Sequence, residues 1–178
     1  MPLVPGRTRS RSRRLTAPEL AIGFALVGSV LAVAIPTFVR EVHVSRFVEP
    51  VEGVRRIAAG AVAYAVAHPG PQPFPPSAPM TPPTPPRGRC EADPSELWDR
   101  PTWVALDFRP APPGQPHCFA FAFDSSTAPG RSTFRAHAHG DLDGDGITST
   151  FEVTGSVSEN DPRGPTIDPG MFVDSEVE

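Results

Sequence analysis

The sequence predicts an α+β protein in which a long N-terminal helix, membrane-spanning and then amphipathic, packs on a small antiparallel β-sheet head. Three observations predict it: an uncharged run from Leu20 to Val39, an apolar stripe at three- and four-residue spacing from Val51 to Ala65, and period-two alternation in the second half of the chain.

Composition narrows the alternatives. The chain has 178 residues with 25 prolines and 15 glycines, and every basic side chain is arginine. So many helix and strand breakers exclude a large helical bundle or a regular α/β body. The first 56 residues carry nine arginines against four acids, and the remainder carries seven against sixteen. The two ends are therefore expected to meet different surroundings. Arg7, Arg9, Arg11, Arg13 and Arg14 lack interleaved aromatic residues on which bases could stack, so no nucleic-acid partner is expected.

Residues 1–14 read as a basic, leader-like segment on the cytoplasmic side, because arginines crowd one flank of the apolar run. Residues 15–40 form the membrane half of the helix. Twenty uncharged residues rising about 1.5 Å each cover about 30 Å, the thickness of a bilayer core. No small-x-small cleavage site follows Val39, which argues against a removed secretory signal. The expected location is single-pass in the cytoplasmic membrane, N-terminus inside and head outside. Glu19, at the edge of the run, has two readings: a helix-capping acid paired with Thr16, or a carboxylate awaiting a partner in the membrane.

Residues 41–68 form the amphipathic stem. Val51, Val54, Ile57, Ala58, Ala61 and Tyr64 or Ala65 fall on one face, with Glu52, Arg55 and Arg56 off it. Pro50 predicts a kink or break near Glu49, and Pro69-Gly70 predicts an end by His68. Residues 69–89 are proline-dominated and predict an extended linker or surface loop outside any sheet. Residues 90–160 form the β-rich head, with short runs at 102–108, 117–124, 132–139 and 147–157; residues 161–178 form an acidic tail. Phe119, Phe121 and Phe123 alternate with Cys118, Ala120 and Ala122, the signature of a strand with one core face.

Cys90 and Cys118 are the only cysteines and form no CxxC pair. One disulfide in an oxidising compartment is the simplest use of them; two separate thiols is the alternative. Asp141, Asp143 and Asp145, spaced by two around Gly144, supply the oxygen ligands that a hard cation such as Ca2+ needs. The same residues also suit an acidic hairpin turn with no ion. Glu152 falls at the twelfth position of an EF-hand count, but an extended chain from Ile147 would carry it roughly 16 Å away, too far to close the shell. His137 and His139 share one strand face with Asp141, a weak transition-metal pattern. No GxSxG, HExxH or phosphate-cradling motif is present, and the expectation is a protein without catalytic activity.

L-T-A-P-E-L begins at Leu15, Glu19 falls fifth, and Pro36 follows seventeen residues later. With these residues the segment from residue 14 to 65 resembles the N-terminal region of type IV pilins and type II secretion pseudopilins. The resemblance implies that Glu19 neutralises the N-terminal amine of a neighbouring subunit during assembly and that Pro36 bends or locally melts the helix. It implies other pilin or pseudopilin subunits and the membrane as partners, and a leader peptidase acting between Arg14 and Leu15. It also makes calcium in the head an expected cofactor. Arg14 stands where the family has a small residue, usually glycine, and Leu15 where it has phenylalanine. The alternative is thus an uncleaved single-span anchor carrying an extracytoplasmic calcium-binding or adhesive module.

Overall fold

The computed structural model describes residues 16–175, without the side chains of residue 20 and residues 36–46. It divides into two compact units, Met1–His43 and Val44–Glu178.

One helix, α1 (Ala17–Ala67), begins in the first unit and ends in the second. Its stretch Ala17–Ile35 is long and apolar enough to cross a membrane, and none of it is buried within the chain. Ile22, Phe24, Leu26, Val30 and Ile35 are all exposed. The one hydroxyl among them is satisfied internally: Ser29 Oγ donates to the carbonyl of Ala25 at 2.5 Å. Such back-bonding lets a serine sit in an apolar medium without an orphaned donor.

In the second unit the stem's apolar stripe does what its spacing predicts. Val54, Ile57, Ala58 and Ala61 are fully buried and Ala65 nearly so, while Glu52, Arg55 and Arg56 are exposed. The break expected at Pro50 does not occur, since α1 runs through it to Ala67. Pro50 is fully buried, and the preceding Glu49 binds the sheet, so tertiary contacts outweigh the lost backbone hydrogen bond.

The stem packs on a wholly antiparallel sheet of β1 (Ala78–Thr81), β2 (Ala120–Ala128), β3 (Arg131–Gly140), β4 (Ser149–Ser158), β5 (Thr166–Ile167) and β6 (Phe172–Asp174). The spatial order is β1-β2-β3-β4-β5, with β6 also paired to β4. Phe119, Phe121, Phe123, Phe134, Phe151 and Val153 fill the face that meets α1 in a single core. Two helical glycines set the spacing. A Cβ on Gly53 would overlap the ring of Phe121, and one on Gly60 would overlap the carbonyl oxygen of Leu106. Each glycine costs about 1 kcal/mol of helix propensity, which the closer approach of helix and core offsets.

Three expected boundaries move. Residues 69–89 are no free linker: Phe74 and Pro75 are buried, and β1 pairs with β2. Pro79 is tolerated because β1 is an edge strand, where half the backbone groups face away from the ladder. Hydroxyls replace part of the ladder, with Ser125 N donating to Ser77 Oγ at 2.9 Å and Ser125 Oγ to the Pro75 carbonyl at 2.7 Å. The run at 102–108 is not a strand but a short helix, α2 (Pro101–Ala105), for which Pro101 at the first turn is preorganised. The acidic tail contributes β5 and β6 to the sheet. The Cys90–Cys118 disulfide is present.

Candidate functional site

Glu19 sits in the first turn of α1 and accepts both the backbone N–H of Thr16 (2.7 Å) and its hydroxyl (2.8 Å) on one carboxylate oxygen. That is the reciprocal half of a capping box, the first of the two readings of this acid. Its second oxygen has no hydrogen bond among the described residues. Arg14 and Leu15, the possible processing site, lie outside the described residues. Pro36 falls inside α1, and its side chain and any bend there lie outside the description.

Asp141, Asp143 and Asp145 are brought together in the β3–β4 turn, one oxygen of each lying within 4.8 Å of the others. Asp141 is almost fully buried and organises the turn: Oδ1 accepts the N–H of Gly144 (2.7 Å) and Oδ2 that of Gly146 (3.1 Å). Oδ1 of Asp143 accepts the Asp145 N–H, and Oδ1 of Asp145 accepts the Ile147 N–H. The second oxygens of the exposed Asp143 and Asp145 remain for other partners. An all-carboxylate donor set fits a hard divalent cation and no soft one. The opposing charge is Arg87, whose Nε lies 4.0 Å from Asp141. Glu152 stays apart, in β4 opposite His137 and 3.7 Å from Arg135.

His137 and His139 do share a face of β3, their rings 5.4 Å apart. Asp141 does not join them, because its carboxylate turns into the loop. The sheet's outer face instead carries a chain of charges, Asp124–Arg135 at 2.9 Å and Arg135–Glu152 at 3.7 Å. Burial lowers the proton affinity of both histidines. Arg135 beside them weighs against a transition-metal cation there.

A polar cluster with no signature in the sequence lies where α1 meets the start of β2. Glu49 accepts the N–H of Cys118 (2.9 Å) and of Phe119 (3.1 Å). Next to it the buried His117 donates Nδ1–H to the Phe119 carbonyl at 2.8 Å and places Nε2 2.7 Å from Asp93. Nothing marks Glu49 in advance except its position before a proline that the helix tolerates. Burial pushes the Glu49 carboxyl above the usual carboxylate range, although the two N–H bonds oppose that shift. The folded chain therefore holds this proton to a higher pH than the unfolded chain does. Its contribution to stability is fully present below the ordinary carboxylate pKa and is lost as pH rises through the raised one. We expect Glu49→Gln to flatten that dependence in urea midpoints measured from pH 4 upward in detergent. Glu49→Ala, which strands two backbone donors, should cost about 1–3 kcal/mol, with the larger loss at the acid end.

No protein-family model, curated protein or solved structure matches the chain.

Proposed function

We propose that the chain is a pilin-like structural subunit of a type IV pilus or type II secretion pseudopilus, assembling through its N-terminal helix. The observation that supports this reading is that a single helix, α1, supplies both an exposed apolar span and the apolar stripe on which an antiparallel sheet packs. Subunits of that kind bury apolar helix against one another and perform no chemistry of their own. Glu19, with one oxygen unused by its own helix cap, is the assembly acid, and the membrane holds the subunit before assembly. Intact mass and N-terminal sequencing of the native protein test the reading. A mature chain beginning at Leu15 is expected. An intact Arg14–Leu15 bond would move the reading to the uncleaved anchor.

The acidic turn favours a calcium-binding role for the head in either case. We expect Ca2+ to engage Asp141, Asp143 and Asp145 and to raise the melting temperature of the full-length chain in detergent, by mass action on the folded state. Asp143→Asn with Asp145→Asn should remove the rise while leaving the Asp141 bonds that shape the turn. Equal melting temperatures with calcium and with a chelator would discard this role.

A further inference from the structure

The neck of the disulfide loop carries a number of protons that its geometry fixes. His117 directly precedes Cys118 and is only 4 % exposed, so its ring nitrogens must find their partners inside the protein. Nδ1 lies 2.8 Å from the carbonyl oxygen of Phe119, and Nε2 lies 2.7 Å from Oδ2 of Asp93. Both are hydrogen-bond distances. A carbonyl oxygen and an ionised carboxylate only accept, whereas a neutral imidazole has a single N–H to give. With one proton on the ring and none on Asp93, one of the two contacts would set a nitrogen lone pair against an oxygen lone pair. The pair therefore needs one proton more than a neutral imidazole and a carboxylate contain. Imidazole is the stronger base of the two, which puts that proton on the ring.

The charged groups around the ring agree with a cation there. Asp93 is mostly buried and has no other hydrogen bond or ion pair among the described residues. From α1, the Glu49 carboxylate accepts the N–H groups of Cys118 and Phe119 beside the ring, and a positive His117 favours its ionised form. From the segment after α2, Arg109 lines the same small recess as Asp93 and His117, but its guanidinium is held by Asp99 at 2.6 Å. Glu91 pairs with His117 through the backbone alone, since its carboxylate is held by Arg89 at 2.7 Å. Trp98 adds an uncharged ring, its centroid 5.8 Å from that of the imidazole. Two carboxylates against one occupied guanidinium favour the protonated ring.

We propose that His117 and Asp93 form a proton-operated clasp, an imidazolium–carboxylate pair that closes the neck of the 90–118 loop and opens as pH rises. When the ring loses its second proton it keeps the bond to the Phe119 carbonyl, and its Nε2 lone pair then faces the Asp93 carboxylate and repels it. Asp93 lies three residues after Cys90, so the chain freed is the one that leads into Trp98. The disulfide and the two Glu91–His117 backbone bonds stay in place, which confines the opening to the far side of the bridge. The folded chain thus binds one proton that an unfolded chain gives up above about pH 6.5. The clasp's contribution to stability is present below that pH and is lost as pH rises.

The test uses the full-length chain in detergent. In nitrogen-15 spectra at slightly alkaline pH, one histidine of the native chain should show both ring nitrogens protonated. Asp93→Asn supplies the discriminating variant, because an amide N–H can donate to the lone pair of a neutral ring and keep the bond without the extra proton. In that variant the same histidine should appear neutral, with its proton on Nδ1. The urea midpoint of the native chain should fall between about pH 6.5 and 9. Asp93→Asn should remove the fall, and Glu49→Gln, which takes away the other proton-binding group at this joint, should leave it. Two results would overturn the proposal. Neutral imidazole signals for every histidine of the native chain at that pH would show that the ring carries no second proton. A fall in midpoint that survives Asp93→Asn and disappears in Glu49→Gln would assign the pH dependence to Glu49 and leave the clasp without effect.

Discussion

Trp103→Ala is expected to lower the stability of the head by about 3–5 kcal/mol, the range for emptying a large aromatic site in a close-packed core. Trp103 is completely buried, its ring centroid 5.4 Å from that of Trp98 and 5.6 Å from that of Phe108. Its Nε1 donates to Thr81 Oγ1 at 3.2 Å, joining α2 to the edge strand β1. The variant thus loses apolar contact and one buried hydrogen bond together. Trp103→Phe separates the two terms, since it keeps most of the apolar body and strands the Thr81 oxygen. A loss of about 1–2 kcal/mol is expected for it, partly relieved because the Thr81 hydroxyl still donates to the Pro79 carbonyl. Urea unfolding in detergent, followed by far-ultraviolet circular dichroism, reads both. Equal losses for the two variants would mean that the hydrogen bond, and not the packing, holds α2 in place.

This tryptophan also marks where the sequence could and could not be read. The stem was legible because its neighbours repeat: Val54, Ile57, Ala58 and Ala61 are chosen by one face of one helix, and that face is buried. The central strands were legible for the same reason, with Phe119, Phe121 and Phe123 alternating into the core. The acidic turn was legible as a constellation because its three carboxylates lie within five residues of each other. What failed were elements too short to show a period. Pro101–Ala105 is barely more than one helical turn, and the helix-starting proline was outweighed by the strand-like residues after it. Ala78–Thr81 was hidden because a proline sits inside it, and only its place at the sheet edge makes that harmless. Glu49 was invisible for a different reason. Its partners, the N–H groups of Cys118 and Phe119, are backbone atoms some seventy residues away, and backbone atoms leave no mark in a sequence.

Loss of the Cys90–Cys118 disulfide is expected to cost roughly 3–4 kcal/mol, the chain-entropy value for a closed loop of this size. The cysteines are separated by 28 positions, and the loop between them holds Trp98, Trp103, Leu106 and Phe108. The bridge therefore restrains the segment that supplies much of the aromatic core. The loop's neck does not open entirely when the bridge is cut. Glu91 and His117 exchange two backbone bonds of 3.0 and 2.9 Å, Glu49 still accepts the Cys118 N–H, and His117 still faces Asp93. Cys90→Ser with Cys118→Ser should accordingly keep the native circular dichroism spectrum while shifting the urea midpoint downward. Adding Trp103→Ala to that variant should cost less than it does with the bridge intact, because a loosened loop relaxes around the missing ring more readily than a closed one. Strict additivity of the two losses would show instead that the bridge acts only on the unfolded chain and leaves the native loop as rigid as before.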